Sequence, residues 1–232
     1  MTTPPVTLAR FRTTGESRVG IVRGETITEL PLAWTAALAA LGDAESVEAD
    51  SGRSWQLADV VLLPPVAGDA EIYCVGLNYL EHREEARELV TEVPSDPIIF
   101  VKSHRALTPP SADLCLPSSI SRRFDWEVEL GVVIGRSGRD ITRADAFDHV
   151  AGYTIVNDIT ARDVQIRHAQ WHLGKNVQAS TPVGPWVVAH TEPPDFEISL
   201  RVNGEAKQVA RTSEMIFDIP RLIETLSTVC EL

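Results

Sequence analysis

Phe124-Asp-Trp-Glu-Val-Glu-Leu-Gly-Val-Val-Ile134 is the stretch that decides the reading of this chain. The apolar run after Glu129 predicts a buried strand, and a strand sends residues i and i+2 to one face. Glu127 and Glu129 then point the same way, roughly 6.6 Å apart at about 3.3 Å rise per residue. Two carboxylates that close repel, the more so away from water. A positive charge is expected between them, and a divalent cation with oxygen ligands meets that need.

Working outward, Ala151-Gly-Tyr-Thr-Ile-Val-Asn-Asp158 predicts a further strand ending in a third carboxylate. Glu127, Glu129 and Asp158 together suit Mg²⁺ or Mn²⁺, which take hard oxygen donors and leave positions open for water or substrate. Spacing alone leaves Asp125 and Asp163 as alternatives, and Glu-x-Glu also occurs on solvated sheet faces. In Gly76-Leu-Asn-Tyr-Leu-Glu-His82-Arg-Glu-Glu85, a helix would bring His82 and Glu85 onto one face at i, i+3, a carboxylate orienting an imidazole. Glu81 and Glu84 compete with Glu85, and an ordinary charged helix has the same pattern. Lys175 could hold a substrate carboxylate or a developing enolate, or stand solvated in a loop; Lys102 invites the same two readings.

Short strands are expected over residues 6–30, with turns at Thr14-Gly15 and Arg23-Gly24, and a helix over 32–41 ending at Gly42. Residues 43–54 read as polar loop. Leu62-Leu-Pro-Pro65 places a boundary between a small domain, 1–65, and a larger one, 66–232. Beyond it, strands are expected at 71–76, 98–102, 182–189 and 196–202, and helices at 79–90 and 159–170. Asn203-Gly204 signals a hairpin, and Asp218 caps a last helix carrying Leu222, Ile223 and Leu226. Strands outnumber helices, so the class is strand-rich α+β and not a doubly wound parallel sheet.

Composition narrows the partners. With 21 basic and 33 acidic residues the net charge is −12, which argues against nucleic acid or an anionic membrane as the main partner. Cys74, Cys115 and Cys230 form no disulfide framework, the first residues lack signal-peptide blocks, and no apolar run is long enough to span a bilayer. A cytoplasmic setting is the expectation. A glycosidase pair is disfavoured, because carboxylates on one face of one strand cannot flank a glycosidic bond.

Six segments in order resemble the fumarylacetoacetate hydrolase family: Tyr73-Cys-Val-Gly-Leu-Asn-Tyr-x-x-His82, Pro97-Ile-Ile-Phe-Val-Lys102, Asp125 to Gly135, Gly152 to Asp163, Gly174-Lys175 and Val202-Asn-Gly-Glu205. Residues 8–30 resemble the small leading domain of many members. The resemblance implies a mixed β-sandwich roll, with Mg²⁺ or Mn²⁺ held by Glu127, Glu129 and Asp158. It implies a catalytic His82–Glu85 pair on a mobile lid, a charge-stabilising Lys175, a 2-oxo (di)carboxylic acid substrate and a homodimer. Hydrolysis of the C–C bond of an acylpyruvate is the activity expected first, with isomerisation or decarboxylation of 2-hydroxymuconate- or oxaloacetate-type acids in aromatic catabolism as the alternative. Two departures stand out. After Lys175 the family's aromatic and aspartate are replaced by Asn-Val-Gln-Ala-Ser-Thr, leaving Gln178 as the substitute. Family members also continue past the position of Leu232 with further strands and a substrate-binding loop. Their expected absence raises a reading of another class, a non-catalytic remnant.

Overall fold

The computed structural model describes residues 5–41, 52–68, 70–79, 95–189 and 195–232. The expected helix at 79–90, and with it His82 and Glu85, falls outside the described residues apart from Tyr79, as does Gly42.

The chain adopts the strand-rich α+β class, with open sheets. Strands Thr7–Arg12, Ser17–Arg23 and Thr26–Leu30 form the expected meander. A short strand, Ser54–Gln56, adds to its edge against Thr26–Thr28, beginning at the last residue of the expected loop. Alternation along the first strand buries both faces. Ala9 and Phe11 pack with Ile27 on one side, while Leu8 packs with Val19, Ile21 and Leu30 on the other, under Trp34, Ala37, Leu38 and Leu41 of the helix Trp34–Leu41.

On its other side the meander continues into a larger sheet. Thr7 and Leu8 pair antiparallel with Val188 and Val187, and Val188 pairs with Tyr153 of the strand Val150–Asn157. That strand pairs in turn with Val128–Ile134. One eight-stranded sheet therefore runs from residue 7 to the Glu-x-Glu strand, across position 65. Close packing at the crossing needs Gly152, since a Cβ there would lie 2.2 Å from the Val188 carbonyl oxygen.

Several smaller pairings surround this sheet. Ile72–Gly76 pairs with Ile98–Lys102, and Glu197–Val202 pairs with Glu205–Arg211. Asn203 and Gly204 both have positive φ, 53° and 83°, as the two-residue hairpin turn requires. The last helix, Ile219–Val229, is capped by Asp218, whose side chain accepts from the Arg221 amide at 2.9 Å. Two expectations are corrected. The stretch 159–170 is not one helix: Thr160–Ala161 pairs with Phe124–Asp125, and the helix covers only Arg162–Arg167. The strand over 182–189 is two short pieces, Thr181–Pro182 and Val187–Val188. In both, tertiary pairing overrides local propensity.

Candidate metal centre

The strand Val128–Ile134 begins one residue after Glu127, and the next strand ends one residue before Asp158. The Asp158 amide donates to the Glu127 carbonyl at 2.8 Å, and the Glu127 amide to the Asn157 side chain at 3.1 Å. These bonds bring the two strand ends together: Glu129 lies within 4.8 Å of Asp158, and Glu127 adjoins them through a shared lysine.

The positive charge expected there is supplied by lysines. Lys175 Nζ lies 2.9 Å from Glu127 Oε1 and 2.8 Å from Asp158 Oδ2. It is not a solvated loop residue: it closes the short helix His172–Lys175 and is 2% exposed, with Nζ 5.0 Å from the centre of the Phe100 ring. Lys102 Nζ donates to Asp158 Oδ1 and to the Lys175 carbonyl, and the Lys102 and Asp158 side chains are both fully buried. Glu127 also receives Thr160 Oγ1 at 2.8 Å and Arg162 Nη1 at 2.6 Å; the same guanidinium donates from Nε to Asp125 Oδ2 at 2.8 Å.

These contacts divide the carboxylates electrostatically. Burial alone would raise Glu127, but Lys175, Arg162 and Thr160 outweigh it and hold its pKa below the usual value. Burial also works against the charged form of Lys175, yet Glu127, Asp158 and Glu129 raise its pKa, so it stays an ammonium. The Glu129 carboxyl has no hydrogen-bond partner among the described residues, although its backbone pairs in the sheet. Desolvation, with the neighbouring Asp158 and Glu127 charges, pushes it up to about 8. Lys175 and Lys102 offset this only in part, and a half-buried carboxyl beside a second carboxylate is what a divalent cation would relieve, so the donor set fits Mg²⁺ or Mn²⁺.

A third donor joins the pair. Cys74 Sγ and carboxylate oxygens of Glu129 and Asp158 all lie within 4.8 Å of one another, and burial together with the two carboxylates pushes the thiol well above its ordinary pKa. Glu127 adjoins this group through Lys175. Of the residues expected from sequence, Glu127, Glu129, Asp158 and Lys175 are brought together. Asp163 is not: it is tied to Ser121. Gln178 is exposed and supports nothing here. The neighbouring Asn176 ties the segment to the strand Ile98–Lys102: its Oδ1 accepts from the Ser103 amide at 2.5 Å and its Nδ2 donates to the Val101 carbonyl at 3.2 Å.

Sequence reasoning missed Cys74, Phe100, Thr160 and Arg162. One signal was available. Residues 98, 100 and 102 alternate onto one face of Ile98–Lys102, and in the observed register Phe100 and Lys102 stand opposite Cys74 and Ile72. The wall is closed by Trp171, which meets Phe100 edge-on, with ring centres 5.6 Å apart, and covers Gly76.

Comparison with known proteins agrees with this architecture. Residues 71–232 match the fumarylacetoacetate (FAA) hydrolase C-terminal family, and residues 7–65 match an Rv2993c-like N-terminal region. The chain belongs to the fumarylacetoacetate hydrolase family. Among its relatives, Protein Rv2993c of Mycobacterium tuberculosis is 43% identical over 78% of this chain and 68% of that protein. Oxaloacetate tautomerase YisK of Bacillus subtilis is 42% identical over 75% and 58%. The matches thus span about three fifths to two thirds of these relatives' own length. The crystal structure of 2-hydroxyhepta-2,4-diene-1,7-dioate isomerase from Mycobacterium marinum superposes with a TM-score of 0.82 at 35% identity, covering 98% of this chain and 83% of that one. No helix among the described residues is long and apolar enough to cross a membrane, and the three cysteines are free.

Proposed function

We propose that this chain carries a divalent-cation site that interconverts the keto and enol forms of a 2-oxo dicarboxylic acid. The observation that carries the reading is the Lys175 ammonium held 2.9 and 2.8 Å from Glu127 and Asp158, beside Glu129, whose pKa is pushed up to about 8. A bound Mg²⁺ or Mn²⁺ would supply Lewis-acid polarisation of the 2-oxo group. Glu127, Glu129 and Asp158 would hold that ion. Lys175, fixed by its two carboxylates, presents permanent positive charge where an enolate oxygen develops. A base takes a proton from the carbon next to the ketone, the electron pair moves to the 2-oxo oxygen, and a proton added there completes the enol. His82 oriented by Glu85 is the proposed base. No carbon–carbon bond breaks.

The names of the relatives support this isomerase reading over the hydrolase reading: an oxaloacetate tautomerase and a diene-dioate isomerase both move protons and double bonds. Acylpyruvate hydrolysis is the second reading, favoured by the His82–Glu85 pairing expected from sequence, which suits water activation. The division at residue 65, a homodimer and a cytoplasmic setting belong to the same proposal. The test is the decay of enol oxaloacetate, followed by ultraviolet absorbance with Mg²⁺ present. Glu127→Ala, Asp158→Ala and Lys175→Ala should each remove the catalysed rate. Catalysis that survives all three would overturn the reading, and cleavage of an acylpyruvate without tautomerisation would favour hydrolysis.

A further inference from the structure

Cys74 has no place in the chemistry above, yet it is 6% exposed and its Sγ has no hydrogen-bond partner among the described residues. It sits in the middle of Ile72–Gly76, opposite Phe100, on the face that also carries Lys102 towards Asp158. Its sulfur and the oxygens of Glu129 and Asp158 are mutually within 4.8 Å. Glu127 stands apart from this set, engaged by Lys175, Arg162 and Thr160. Asp158 gives one oxygen to each lysine and keeps a lone pair on both.

We infer that Cys74, Glu129 and Asp158 form a capture site for a thiophilic divalent cation of the Zn²⁺ or Cd²⁺ class, which competes with the hard cation and arrests the enzyme. The inference rests on the proposed cation site and adds a soft donor to it. Mg²⁺ and Mn²⁺ favour oxygen, whereas sulfur selects Zn²⁺ and its heavier congener. One sulfur and two carboxylates leave the fourth tetrahedral position to water. Bonds of about 2.0–2.3 Å hold tetrahedral donors roughly 3.5 Å apart, so side-chain rotation need close the set by little more than about 1 Å. On capture the S–H bond breaks, its proton leaves to solvent and a metal–sulfur bond forms, with no change of oxidation state. Occupied in this way, Glu129 and Asp158 are no longer available to hold Mg²⁺ for a 2-oxo acid.

The experiment uses the full chain stripped with a chelator, with Cys115→Ser and Cys230→Ser introduced to silence the other thiols. Cd²⁺ is titrated while the sulfur-to-cadmium charge-transfer absorption is followed, and Mn²⁺ binding is measured in parallel by electron paramagnetic resonance. The expected result is one charge-transfer equivalent per chain, release of bound Mn²⁺ as Cd²⁺ is added, and loss of the band in Cys74→Ser and Cys74→Ala. The Cd²⁺ needed to release Mn²⁺ should rise by about tenfold or more in both variants, at least the scale of losing a group that merely orients a ligand. Mn²⁺ binding with no charge-transfer band, or a band that persists without Cys74, overturns the inference and leaves the cation site standing. Failure of both ions to bind overturns both.

Discussion

Lys102 and Asp158 form an ion pair with both side chains fully removed from solvent, and the same ammonium reaches the carbonyl of Lys175. One buried cation thus fixes both the last carboxylate of the centre and the backbone of its second lysine. Lys102→Met should leave Asp158 with Lys175 as its remaining cation and the Lys175 carbonyl without that donor, costing up to about 3–5 kcal/mol, the range for removing one partner of a buried pair. Urea denaturation measures it, and a loss below about 1 kcal/mol, the surface-pair range, would show that the pair is not closed in solution.

The raised Glu129 gives a pH dependence of defined sign. Its folded pKa of about 8 lies above its ordinary 4.5, so the folded chain binds the extra proton between those values. The stability contributed by the neutral form is fully present below pH 4.5, falls as pH rises, and is lost once pH passes about 8. The slope in mid-window is about 1.4 kcal/mol per pH unit. In chelator, the stability of wild type relative to Glu129→Gln should decline across that window, and a flat difference would contradict the assigned environment. Divalent cation affinity should rise over the same range, because binding displaces the proton.

Arg162 bridges Asp125 and Glu127 with two nitrogens of one fork. A lysine cannot reproduce that geometry. Arg162→Lys is expected to weaken Mn²⁺ binding by about 10–100-fold through misplacement of Glu127, the usual scale for groups that orient a ligand. Calorimetric titration checks it; unchanged affinity would leave Arg162 with only a structural role.

Gly76 leaves the space that Trp171 fills. A Cβ there would lie 2.4 Å from Trp171 Cζ3, so Gly76→Ala should destabilise by about 1–3 kcal/mol. The double variant with Trp171→Leu should recover most of the loss, since the two sites share one contact. Additive losses would place the clash elsewhere.

What could be seen in the residues beforehand follows a physical divide. The Glu-x-Glu strand, the carboxylate ending the next strand, the Asn203-Gly204 turn and the Asp218 cap are local patterns, and each is where it was expected. Lys175 as a bridge between Glu127 and Asp158, and Lys102 as its support, depend on contacts between residues 17 to 73 positions apart. A single lysine in a short segment looks the same whether buried or solvated; only the fold supplies its carboxylates. The break after Ala161 was hidden for a similar reason, since Thr160 and Ala161 are recruited by Phe124 and Asp125. His82 and Glu85 lie outside the described residues, so their pairing stands on sequence and resemblance.

The pairing of Leu8 with Val187 has a consequence for how such chains can be rebuilt over time. The leading segment looks portable as text, matching a family region of its own. In space its first strand is stitched, through Val188 and Tyr153, to the strand that ends beside Asp158. Exchanging that segment for a foreign one would require preserving two strand registers and the Gly152 notch together, so leader and site are constrained to change as a unit.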